Sequence, residues 1–95
     1  MSQVISLPIS QGPEVQSNRW MVVIFNDDHT PFDVVIFTLM IATNCSREEA
    51  ELETWEAHHI GRASVHFASE EECLAVADVI RRAGVKVEVC AEWKD

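Results

Sequence analysis

Hydrophobic and polar positions divide the chain into six structured blocks separated by short polar turns. Trp20–Phe25 (WMVVIF) is apolar at every position, so periodicity alone does not fix its type. Its length, its β-branched residues and the polar turn after it predict a central strand buried on both faces. From Pro31 to Ala42 or Thr43 the pattern is helical: Phe32, Val35, Ile36 and Leu39 recur at i, i+3, i+4 and i+7. Phe37, Met40 and Ile41 make other faces of that helix apolar too, so it is either largely buried or turned toward a partner. A second helix runs to about His59, with Ala50, Thr54, Ala57 and His58 on one side and Leu52, Trp55 and His59 on another. Ala63–Phe67 is a short strand of mixed pattern. A third helix carries Leu74, Val76, Ala77, Val79 and Ile80 as far as Ala83. In Val85–Ala91, Val85, Val87 and Val89 alternate with Lys86, Glu88 and Cys90, the signature of a half-exposed strand.

Helix ends are marked by local chemistry. Ser46 with Glu49 and Ser69 with Glu72 form S-x-x-E capping boxes. Gly61 and Gly84 supply C-terminal stops. Thr30 is predicted to cap the first helix, with Pro31 in the first helical position and Asp33 completing T-x-x-D. Asn44–Cys45 breaks the chain between the first two helices. The predicted order is β-α-α-β-α-β, an α+β fold: a compact sandwich with three helices on one face of a three-stranded sheet. Residues 1–18, rich in Ser, Gln and Pro, are expected to be a flexible tail. Residues 19–95 then form one domain, with Trp93 packing back on it.

Composition narrows the partners. A 95-residue chain buries about 60% of its unfolded surface, so its core is modest. A net charge of −9 argues against nucleic acid and anionic membranes, and favours a cationic ligand or simply solubility. Cys45, Cys73 and Cys90 are odd in number and widely spaced, which suggests neither a disulfide framework nor a thiolate zinc site. A reducing compartment follows. No Lys or Arg precedes Arg19, so the start does not read as a signal peptide. The apolar run within Val34–Ala42 is far short of the roughly 20 residues that span a bilayer.

Candidate chemistry gathers at Asn26–Asp27–Asp28. These residue types favour a turn closed by their own side chains, and that alone accounts for them. Their setting adds more, because strand and helix on either side are strongly apolar. An apolar floor with a few polar groups at its mouth is the usual form of a specific binding site. His58 and His59 lie at a helix C-terminus, where the dipole favours them. Adjacent helical residues point about 100° apart, so at most one faces a given pocket. Asp27, Asp28, His29, His58 and His59 match no HExxH or other metal-ligand spacing. Neither GxSxG nor a glycine-rich phosphate loop is present.

The sequence NDDHTPFDVV at Asn26–Val35, followed by EAHHIGR at Glu56–Arg62, resembles the ClpS family of adaptors for the Clp protease. The resemblance is clear over Trp20–Arg62 and continues beyond it in element order. It implies a non-enzymatic adaptor, without cofactor, located in a bacterial cytoplasm or an organellar stroma. Such adaptors bind the first residue of N-degron substrates, typically Phe, Tyr, Trp or Leu, and deliver them to a Clp-family AAA+ ATPase. The resemblance carries the α-amino contacts to Asn26, Asp27 and His58. It carries the apolar pocket to Phe25, Thr30, Phe32, Val35, Thr54, Ala57 and Val87, with Phe32 as gatekeeper.

Physically the amino site is coherent. A free α-amino group, with a pKa of about 7.7–8.0, is largely an ammonium near neutrality and carries three donors. An amide oxygen, a carboxylate and an imidazole nitrogen are three acceptors, and the carboxylate adds charge. Thr54 and Ala57 stand where the family usually has Met and Val, which implies a reshaped pocket that accepts Trp well. Glu70–Ile80 lacks the Lys that the family carries in its ATPase-docking region. The alternatives are a ClpS-like interaction module with another partner, as in the similar C-terminal domain of the ribosomal stalk protein, and a small metal-dependent hydrolase.

Overall fold

The computed structural model describes residues 19–92. Three strands, β1 (Trp20–Phe25), β2 (Arg62–Ala68) and β3 (Val87–Ala91), form an antiparallel sheet in the order β2-β1-β3. Three helices, α1 (Phe32–Thr43), α2 (Arg47–Ile60) and α3 (Glu70–Arg82), complete the order β-α-α-β-α-β. This is the α+β architecture expected from the sequence. The expected tail at 1–18 and the packing of Trp93 lie outside the described residues.

The uniform apolarity of β1 follows from its central place. Val22, Val23 and Ile24 are consecutive and at most 2% exposed, which requires cover on both faces. Val22 and Ile24 join the main core with Leu39 of α1, Ala50 and Ala57 of α2, and Cys73, Val76, Ala77 and Ile80 of α3. The α3 stripe is i, i+3, i+4, i+7 from Cys73, so Leu74 and Val79 are left exposed. The mixed pattern of β2 has a structural cause. Val22 pairs with His66 but Val23 pairs with Ser64, so Val65 is an extra residue in β2. Such a bulge breaks strict alternation. β3 begins at Val87 rather than Val85, although Lys86 O already accepts from Phe25 N at 3.0 Å.

Two of the three expected N-caps form. Ser46 Oγ accepts from Glu49 N at 3.1 Å, and Ser69 Oγ from Glu72 N at 3.2 Å. Gly61 ends α2 at φ 110°, a conformation in which a side chain would be strained. The third cap is corrected. Pro31, not Thr30, is the N-cap residue of α1, and no side chain caps that helix. The Thr30 hydroxyl instead donates to Asp27 Oδ2 at 2.9 Å. The carboxylate draws the hydroxyl proton into a charge-assisted bond and so holds the side chain at the turn rather than over the helix N-terminus.

One core-edge group works against the fold. Glu53 of α2 has a shielded Oε1 with no hydrogen-bond partner. Burial, followed by the adjoining carboxylates of Glu49 and Glu56, pushes its pKa up to about 8. The folded state therefore retains a proton that the unfolded chain releases near 4.5. That contribution to stability is complete below 4.5 and is lost as pH rises through about 8. Glu53→Gln is expected to raise Tm by a few degrees at pH 8.5, roughly 1 kcal/mol after allowing for partial solvent screening, and to leave it unchanged at pH 4.5. Thermal unfolding at the two pH values checks this.

Candidate functional site

The polar turn after β1 is pinned at both ends. Asn26 N donates to Gly61 O at 3.0 Å, which ties the end of β1 to the end of α2. That bond brings Asn26 and Asp27 beside His58, thirty-odd positions away in sequence yet lining the same cavity. Within the turn, Asp27 Oδ1 accepts from His29 N at 2.6 Å and Oδ2 from the Thr30 hydroxyl at 2.9 Å. These bonds, the His29 N–H first, hold the Asp27 carboxyl below its ordinary value of 3.8. The local-turn role is thus real. An ionised carboxylate has about four lone-pair sites, so two remain for a ligand.

The cavity is small, about 30 Å³, and opens to solvent. Asn26, Asp27 and His58 supply its polar lining, and Phe25, Thr30, Phe32, Val35, Thr54 and Ala57 line it as well. Val87 is not on the wall. It lies in the core opposite Ile24, and Val85 and Ile24 line the cavity instead. The alternation Val85, Val87, Val89 identified the right segment, but Val85 lies before β3 begins, and its place depends on where the chain turns in after Gly84. That turn is not encoded in the period. Thr54 Oγ1 donates to Ala50 O at 2.7 Å within its own helix, so its hydroxyl is satisfied without a ligand.

Phe32 is half-exposed, and its ring meets His58 edge-on at 4.9 Å. The two His of α2 take different partners, as their 100° offset requires, although their rings still meet edge-on at 5.0 Å. His58 lines the cavity, whereas His59 stacks on Trp55 at 4.1 Å. Asp28 and His29 do not line it. No Lys or Arg does either, so its polar rim is acceptor-rich and suits a cation rather than an anion. Among the described residues no group of three or more His, Cys, Asp or Glu is placed to hold a metal. No described helix is long and apolar enough to cross a membrane.

Fold and cavity together define a small α+β module with an apolar pocket rimmed by hydrogen-bond acceptors. A family model described as ATP-dependent Clp protease adaptor protein ClpS matches residues 15–88, and the chain belongs to that family. It is 39% identical over 51 residues to the ATP-dependent Clp protease adapter protein ClpS of Treponema denticola, covering 54% of this chain and 50% of that protein. It is 33% identical over 73 residues to the human E3 ubiquitin-protein ligase UBR1, covering 73% of this chain and 4% of the ligase. The chain therefore matches half the length, or much less, of these curated relatives. The structure of Agrobacterium tumefaciens ClpS2 bound to L-phenylalaninamide has the same fold, with a TM-score of 0.68 and 23% identity over 80% of this chain and 99% of that one.

Proposed function

We propose that this chain is a non-enzymatic adaptor that captures the first residue of an N-degron substrate and passes the substrate to a Clp-family ATPase. The observation that carries this reading is the meeting of Asn26, Asp27 and His58 at the mouth of one apolar cavity. An N-terminal residue with a large apolar side chain has the complementary form. Its ammonium offers three donors and a charge to those acceptors, and its side chain enters between Val35, Thr54, Ala57 and Val85. The ClpS2 of A. tumefaciens binds L-phenylalaninamide, which carries a free α-amino group and a Phe side chain, and this supports the reading.

Thr54 and Ala57 set the width of the pocket. Both are buried and small, and the Thr54 hydroxyl is already bonded within its own helix. A broader wall at these positions favours Trp alongside Phe. A panel of peptides differing only in the first residue tests the reading by fluorescence anisotropy. Saturable binding is expected for Trp, Phe, Tyr and Leu, with Trp at or near the top and Gly and Glu at least tenfold weaker, about 1.4 kcal/mol. Equal affinity across the panel overturns the site assignment, and Trp far below Leu and Phe overturns the wide pocket. Delivery rests on family membership. The first turn of α3 carries Glu70, Glu71 and Glu72, so contact with the ATPase through this helix requires a basic surface on the partner.

A further inference from the structure

The two helices that frame the cavity also carry apolar side chains that neither the cavity nor the core uses. Along α1, Val34, Phe37 and Ile41 recur at i, i+3 and i+7, away from the buried Val35, Ile36 and Leu39. Phe37 is 50% exposed and Ile41 77%. This spacing is that of a helix-packing seam. α2 carries Leu52 and Trp55, 70% and 54% exposed, which line an open groove with Glu48 and Glu51. Arg47 links the two helices: its guanidinium lies over the Phe37 ring at 5.5 Å, and its Nε donates to Glu51 Oε2 at 2.9 Å. Trp55 is held in place by the His59 ring stacked on it and by His59 Nδ1, 3.0 Å from the Trp55 carbonyl oxygen. A fixed, half-exposed aromatic among apolar neighbours is the usual anchor of an interface.

Charge selects the occupant. Residues 32–60 hold five exposed carboxylates, Asp33, Glu48, Glu49, Glu51 and Glu56, against one Arg that is already paired. Asp33 stands one turn before Phe37, and Glu48 one turn before Leu52, so both border the apolar residues. A second copy of a chain of net charge −9 would set like charge against like. We propose that the outer face of α1 and α2 docks a basic amphipathic helix of a partner protein. Its apolar side lies on Phe37, Ile41, Leu52 and Trp55, and its Lys or Arg residues reach Asp33 and Glu48. This surface is separate from the amino-group cavity, and the proposal does not depend on that site.

The test is an NMR titration of the full chain with an N-acetylated Leu/Lys amphipathic peptide of about 18 residues, long enough to form a helix. Acetylation keeps the probe out of an ammonium site. Saturable shifts are expected on the outer faces of α1 and α2, weakening with salt. A peptide of the same composition in scrambled order should bind about tenfold more weakly. Phe37→Ser and Ile41→Ser should each cost about tenfold in affinity, whereas Leu74→Ser, on the exposed side of α3, should change nothing. Thermal unfolding of each variant confirms that it is folded. Absence of saturable binding, equal binding of the scrambled peptide, or an equal effect of Leu74→Ser overturns the proposal. So does self-association of the chain that Phe37→Ser abolishes, which would make a second copy the occupant.

Discussion

Asp27→Asn is expected to weaken binding of a Phe-starting ligand by roughly 10- to 100-fold, because a charge-assisted hydrogen bond is lost. The variant keeps an oxygen for the turn but loses the charge that faces the ammonium. Tm should hardly move, because Asn can still accept from His29 N or from Thr30. Asp27→Ala should lose more affinity and also loosen the turn, since both donors then lose their acceptor. The depressed carboxyl fixes the acid behaviour. The contribution of Asp27 is present above its ordinary value of 3.8 and is lost only as pH falls through the lower folded value. Any fall in affinity well above pH 4 must therefore originate in another group. Calorimetric titration of wild type and both variants, with thermal unfolding of each, separates the charge effect from the turn effect.

Leu39→Ala is expected to destabilise the domain by about 3 kcal/mol and lower Tm by roughly 15 °C. Leu39 is fully buried and joins α1 to the sheet and to the other helices. Its removal leaves a cavity that so small a core has little means to collapse. A domain of this size has only about 4–11 kcal/mol in total, so the loss is a large fraction of it. Ile41→Ala, on the same helix but exposed, should change stability by less than about 0.5 kcal/mol. Circular dichroism melts of the two variants give the contrast directly. Equal shifts would mean that α1 is packed through a different face.

Most of the architecture was legible because local signals agreed with tertiary ones. Ser46 with Glu49, Ser69 with Glu72 and Gly61 mark helix ends through bonds between residues close in sequence. The uniform apolarity of β1 announced its central place. What escaped depends on contacts distant in sequence or on competition between partners. Thr30 has the right chemistry for a cap, but Asp27 takes its hydroxyl. The bulge at Val65 is a matter of register between two strands, which one strand's sequence does not record. Val85 and Val87 share a face in the pattern, and only the path of the chain past Gly84 puts Val85 on the cavity wall.

The site shows the same division. Asn26 and Asp27 stood out as acceptors, and the helical offset foretold that only one of His58 and His59 would reach the pocket. That Asp27 closes its own turn while lining the cavity needed coordinates, because one carboxylate serves both purposes with different lone pairs. The outward apolar stripe of α1 was visible as excess hydrophobicity, but its exposure was not, since a helix apolar all round is equally consistent with deep burial.

The central claim is that Asn26, Asp27 and His58 together hold an α-ammonium group. Its most direct measurement is calorimetric titration of the wild-type chain with L-phenylalaninamide and with N-acetyl-L-phenylalaninamide near neutral pH. The ligands share a side chain and differ in the charge and donors of the amino group. The expected result is saturable binding of the free amine and at least a 100-fold loss on acetylation, about 2.7 kcal/mol. Equal affinity for the two ligands would show that the cavity reads only the side chain, and would contradict the account.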